Sequence, residues 1–184
     1  MRVVLPSVAA GELLRVPMSR EDYLALGETK CDEWYDGMRV VNPPTHRHQM
    51  AAMQLARHLW AVLPEGEVVL IEAGWRTDEA DFRPDVQVVP AEAVGDAVSI
   101  EPPLLVVEVL SPSNREADLV IKRAKYARAG LPWYWVVDLV AAELIVLHNE
   151  DGELVEVQRL RGGATARTIG PYVISVDPAT LDRP

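Results

Sequence analysis

Residues 104–110, LLVVEVL, constrain this chain more than any other stretch, because seven residues in a row are apolar except for Glu108. Preceded by Pro102 and Pro103, such a run reads as a strand buried on both faces. A second run, WYWVVDLV at 133–140, has the same character. Between them, residues 115–129 place Ala117, Val120, Ala124 and Ala127 at helical spacing toward Leu131, and Gly130 and Pro132 end the helix. A buried strand, a helix and a second buried strand form a right-handed crossover between parallel strands. The chain is therefore predicted to be α/β, with a mixed central sheet flanked by helices.

The remaining segments fit around that unit. Ser19 caps a short helix with Glu21 and Asp22 in its first turn. Asp36-Gly37 joins strands near 33–35 and 38–41. From 46 to 63, Met50, Met53, Leu55, Ala56, Leu59, Trp60 and Leu63 recur at helical spacing, and Pro64 with Gly66 closes the helix. The β-branched runs 68–75 and 84–89 read as a hairpin around the polar stretch 77–81. ELIVLHN and ELVEVQRL flank Glu150-Asp151-Gly152 as a C-terminal hairpin, and YVISV at 172–176 offers a last edge strand. With sheet edges left to cover, a homodimer is expected.

At 184 residues, 49% hydrophobic and 25% charged, the chain suits one domain over 1–184, with 1–17 as an extension and 177–184 as a tail. Cys31 is the single cysteine, so no internal disulfide forms. Pro6 and Ser7 interrupt the apolar N-terminal stretch before a signal-peptide core is complete. No apolar run approaches the roughly 18 residues of a membrane span. A cytoplasmic protein without a membrane anchor is expected. The net charge of −10 argues against a broad nucleic-acid surface. A bound cation would reverse the field locally.

Glu108 carries the chemical question, since an unpaired carboxylate inside such a strand costs several kcal/mol. It either meets an arginine or a wet strand end, or it binds a metal. Asp85, in the short strand RPDVQVV after Pro84, supports the second answer: two carboxylates on neighbouring strands are hard oxygen ligands for Mg²⁺ or Mn²⁺. Glu33, beside the Asp36-Gly37 turn, is a third acid that would otherwise be a solvated edge residue. Lys122 shares a helical face with Asp118 and Tyr126 and could orient an attacking water. On the helical wheel it lies nearly opposite the apolar stripe, where lysines are normally solvated, and Lys125 is its rival. His48 falls in the first turn of the long helix, where it either touches the site or lies exposed beside His46. His58 and His148 read as structural or solvent residues. Tyr126, Trp133, Tyr134 and Trp135 read as core more readily than as a base-stacking platform.

Taken in order, DEWYDG with Glu33, PPTHRH ending at His48, RPDVQVV with Asp85, LLVVEVLSPS with Glu108 and DLVIKRAKYARAGLPWYWVVD at 118–138 resemble the PD-(D/E)xK nuclease superfamily. Within it, they are similar to the restriction-endonuclease-like family called Uma-two. The resemblance covers about residues 20–148. It implies a restriction-endonuclease-like fold and a Mg²⁺- or Mn²⁺-dependent phosphodiesterase acting on DNA. Asp85 and Glu108 would be metal ligands, Glu33 an additional acid, and His48 the family histidine. The superfamily lysine expected two residues after Glu108 is Leu110 here, and in the Uma-two pattern Lys122 matches the displaced lysine. Two other functions fit the same residues: a nuclease-like binding or assembly module that does not cleave, and a metal-dependent hydrolase of a small phosphorylated substrate.

Overall fold

The computed structural model describes residues 8–27, 32–95, 98–163 and 167–183. Cys31, Pro6 and Ser7 lie outside the described residues. The crossover unit forms as its apolar runs predict: β8 (Leu105–Val109) and β9 (Trp133–Asp138) pair in parallel, with Glu108 beside Val136. Every other pairing in their sheet is antiparallel. β7 (Val86–Pro90) and β4 (Glu67–Ile71) extend it on one side, and β10 (Glu143–Glu150) and β11 (Glu153–Arg161) on the other, in the order β11-β10-β9-β8-β7-β4.

A second sheet of five antiparallel strands has the order β1-β3-β2-β6-β5. It comprises β1 (Leu14–Pro17), β2 (Asp32–Tyr35), β3 (Met38–Val41), β5 (Trp75–Arg76) and β6 (Ala80–Phe82). The turn between β2 and β3 places Asp36 at φ 53° and Gly37 at φ 71°, the left-handed pair that a two-residue hairpin requires. This register sets Glu33 opposite Val40.

Strand β8 distributes its side chains by simple alternation. Leu105, Val107 and Val109 enter a core with α2 (His46–Trp60), whereas Val106 and Leu110 enter a second core with the five-stranded sheet and α3 (Arg123–Arg128). Glu108 is therefore on the α3 side. α1 (Arg20–Ala25) is capped by Ser19, whose hydroxyl accepts from the Asp22 amide at 3.1 Å. Thr45 caps α2 by accepting from the amide of His48 at 3.3 Å.

Four sequence expectations need correction. Strands β4 and β7 do pair, but the connection between them is not a plain polar loop: it folds as β5 and β6 and joins the other sheet, Trp34 opposing Asp81. Arg20 and Arg76 both hold the carboxylate of Asp81, so this polar stretch pairs instead of staying solvated. YVISV adds no edge strand to the main sheet. Its β13 (Tyr172–Ile174) pairs with β12 (Arg167–Ile169), and Tyr172, Ile174 and Val176 pack on the α2 core instead.

In α2, Met53 and Trp60 face solvent at 52% and 65% exposure, and the buried stripe runs through His48, Ala51, Ala52, Leu55, Ala56 and Leu59. The crossover helix is rotated further still. Its segment Ala117–Lys122 is a π-helical turn, wider than an α turn and so advancing less per residue. Val120, assigned to the apolar stripe, is 61% exposed, while Asp118, Lys122 and Tyr126 face inward. Ala117, Ala127 and Leu131 of the expected stripe are buried as well, so the buried face is wider than the stripe and takes in residues expected to be solvated.

Candidate active site

Asp85 immediately precedes β7, and Val86 pairs with Val107, so the antiparallel register carries Asp85 opposite Glu108. Side chains directly opposed across antiparallel strands point to the same face. Both carboxylates line one small cavity of about 40 Å³, together with Glu33, His48, Lys122 and Arg83. A volume of that size admits a few waters or a hydrated ion, since one water needs about 10–15 Å³. All five candidate residues drawn from the sequence, Glu33, His48, Asp85, Glu108 and Lys122, meet at this cavity.

Each is held by neighbours. The Asp85 carboxylate accepts from His48 Nε2 at 2.9 Å and from the Val109 amide at 2.7 Å. Burial alone would raise its pKa, but His48, by charge and hydrogen bond, and the Val109 amide outweigh it and hold Asp85 below the ordinary range. The same contact works on His48: burial opposes the charged imidazole, Asp85 favours it, and the net shift is upward. Glu33 Oε1 accepts from the Arg83 amide at 3.0 Å. Lys122 Nζ donates to Glu33 Oε2 at 2.9 Å and to Glu108 Oε1 at 3.0 Å.

Glu108 is 2% exposed. Its Oε1 also accepts from Tyr126 Oη at 2.7 Å, while Oε2 takes part in none of the described hydrogen bonds. Burial drives the Glu108 pKa well up, and Lys122 offsets only part of that. Lys122 shows the opposite balance. Burial would neutralise it, but Glu108 and Glu33 hold it charged, well above the usual lysine range. Lys125 takes no part: its ammonium reaches Asp36 at 2.7 Å and Glu79 at 3.9 Å.

Asp118 was read only as a neighbour of Lys122, yet it is fully buried. Neither of its carboxyl oxygens has a hydrogen bond, and Lys122 Nζ stands 3.4 Å from Oδ1. Burial pushes its pKa up to about 7 against the pull of Lys122. The i, i+4 spacing of Asp118, Lys122 and Tyr126 puts them on one face, but solvated helix faces carry the same pairs, so nothing in the sequence marked Asp118 as buried. Asn114 also lines the cavity, and its Oδ1 accepts from the Ser111 amide at 2.6 Å. His46 is exposed, and Trp135, Tyr134 and Tyr126 are core, Tyr126 stacking on Trp75 at 5.3 Å. Trp133 is half-buried, with its ring centroid 4.4 Å from that of His148.

The donors suit a hard divalent cation. Two carboxylates, Asp85 and Glu108, converge on a cavity roomy enough for an ion, and they are hard oxygen donors. Among the described residues no group of three or more His, Cys, Asp or Glu side chains is arranged to close on an ion. Asp85 and Glu108 would thus supply two ligands, with water and substrate completing the shell, as is usual for Mg²⁺.

The mixed sheet and its carboxylate pair, opposed across antiparallel strands beside a buried lysine, belong to the restriction-endonuclease-like class of α/β folds. A crystal structure of a nuclease described as putative, of the DUF820 group from Anabaena variabilis ATCC 29413, superimposes with a TM-score of 0.72 at 14% identity, covering 90% of this chain and 98% of that one. The chain belongs to the Uma2, or Uma-two, family, whose model, described as "putative restriction endonuclease", matches residues 20–169. A search of curated proteins gave no match.

Proposed function

We propose that this chain is a divalent-metal-dependent nuclease that hydrolyses phosphodiester bonds in DNA, of the PD-(D/E)xK type. The observation that carries this reading is the convergence of Asp85 and Glu108 on one cavity that Lys122, Glu33 and His48 also line. Asp85 and Glu108 would hold Mg²⁺ or Mn²⁺, which when bound supplies Lewis-acid charge to a phosphoryl oxygen and acidifies an attacking water. Lys122 supplies a charged donor for the developing negative charge, the role of a strand-borne lysine in the superfamily pattern. It reaches Glu108 from the crossover helix, which frees position 110 for Leu110 in the apolar core. Glu33 holds the far side of the ammonium, and His48 fixes the Asp85 carboxylate through Oδ1.

The net charge of −10 favours a second reading, a nuclease-like module that binds or assembles without cleaving. A cytoplasmic setting and a homodimer joined along the open edge of β11 accord with either function. Among the described residues no helix is long and apolar enough to cross a membrane. The deciding experiment is cleavage of single- and double-stranded DNA with Mg²⁺ and with Mn²⁺, comparing wild type with Asp85→Ala purified identically. Cleavage by wild type alone supports the nuclease. A folded wild type that neither cleaves DNA nor binds the metal supports the module.

A further inference from the structure

The Lys122 ammonium has three N–H donors and three carboxylates around it. Two donors are committed, to Glu33 at 2.9 Å and Glu108 at 3.0 Å. The third carboxylate, Asp118, is fully buried, carries no hydrogen bond on either oxygen, and stands 3.4 Å from the same nitrogen. A buried carboxyl left this way is costly, and a purely structural ion pair would have closed the gap. Its backbone is pinned: the Asp118 amide donates to the Asn114 carbonyl at 3.0 Å, and its carbonyl accepts from Tyr134 Oη at 3.1 Å. Asp118 is also outside the lining of the cavity, so neither an ion nor a substrate there touches it. The movable partner is the lysine, a compact charge on a flexible four-carbon stem.

Without a metal, Lys122 is the cation hydrogen-bonded to Glu108. A divalent ion on Glu108 and an ammonium on the same carboxylate repel one another, which favours movement of the lysine, the flexible partner. We propose that Asp118 is a positioning residue that receives the Lys122 ammonium when a divalent cation takes Glu108. Metal entry then turns the lysine through a short arc between two carboxylates, without deprotonating it or driving it from the site. The proposal rests on the reading of Glu108 as a metal ligand and adds to it an internal ion exchange that sets metal affinity.

The test is a double-mutant cycle read by calorimetric titration with Mn²⁺, using wild type, Asp118→Asn, Lys122→Met and the double variant. Asp118→Asn is expected to weaken Mn²⁺ binding about tenfold or more when Lys122 is present, and by no more than about twofold in the Lys122→Met background. Equal weakening in both backgrounds overturns the proposal, because Asp118 would then act through its own charge alone. Should Lys122→Met fail to fold, wild type titrated with Mg²⁺ and followed by carbon-13 NMR of its carboxyl groups decides the matter. The Asp118 resonance is expected to move in step with that of Glu108, and an Asp118 resonance that stays still while Glu108 responds overturns the proposal. A folded wild type that binds no Mn²⁺ overturns both this exchange and the metal-dependent function, whereas the other adverse results overturn the exchange alone.

Discussion

Replacing Asp118 by asparagine should change how stability depends on pH. In the folded protein its carboxyl has a pKa of about 7 against 3.8 for the free side chain, because burial outweighs the pull of Lys122. A carboxyl whose folded pKa is raised binds more protons folded than unfolded, so the folded state loses stability as pH rises between the two values. At pH 5 part of that loss has occurred. From pH 5 to pH 8 the remaining two units or so correspond to about 2–3 kcal/mol, at 1.36 kcal/mol per unit. Asparagine does not titrate, so this component should vanish. Urea unfolding in EDTA, at pH steps from 5 to 8, gives the difference between wild type and Asp118→Asn. The expected result is that the variant gains about 2–3 kcal/mol relative to wild type across that range. Its offset at pH 5 reports how well the amide is accommodated and is separate from the slope. A difference that stays flat from pH 5 to 8 would refute the reasoning, since Asp118 would then ionise as an ordinary carboxylate.

Three further outcomes are expected. Asp85→Ala should abolish Mn²⁺ binding in calorimetry, because it removes one of two converging carboxylates, and unchanged affinity would remove Asp85 from the metal site. Lys122→Met should cut DNA cleavage about 10²-fold or more, the scale of losing one transition-state donor, while Lys125→Met, whose ammonium meets Asp36 and Glu79 at the surface, should change it little. Sedimentation at micromolar concentration should show a dimer, because β11 is an open edge whose Val155 and Val157 are 37% and 49% exposed.

The central sheet was legible because its evidence is local: long apolar runs, an Asp-Gly turn, and a helix ended by glycine and proline. Asp85 and Glu108 were legible for the opposite reason, as acids where the pattern called for apolar residues, whereas Glu33 alone reads as a solvated edge residue and stood out only beside the other motifs. The helix faces were harder. A wheel drawn at α-helical pitch put Lys122 in water, and the π turn that brings it inside leaves no mark in composition or spacing. His48 falls in register with the buried stripe at Ala51, Ala52 and Leu55, a sign visible in the sequence once the stripe is anchored on alanines in place of Met53 and Trp60. Strands β5 and β6, two and three residues long, are shorter than any periodicity can register. They are held by contacts distant in the chain: Trp75, Ala80 and Phe82 enter the second core, and Arg20 and Arg76 both close on Asp81.

Lys122 reaches Glu108 from a helix, where the superfamily pattern places the ammonium two residues along the same strand, and this has a consequence for synthesis. A lysine at position 110 would leave the ribosome almost together with Glu108. Here the ammonium is fourteen residues behind its carboxylate, and the segment bearing it is secured by Tyr134 on the following strand. A nascent chain exposed only as far as Glu108 therefore carries the acids without their lysine. The complete constellation arises only after β9 has emerged and docked, so the cluster around Lys122 and the parallel centre of the sheet form in one event.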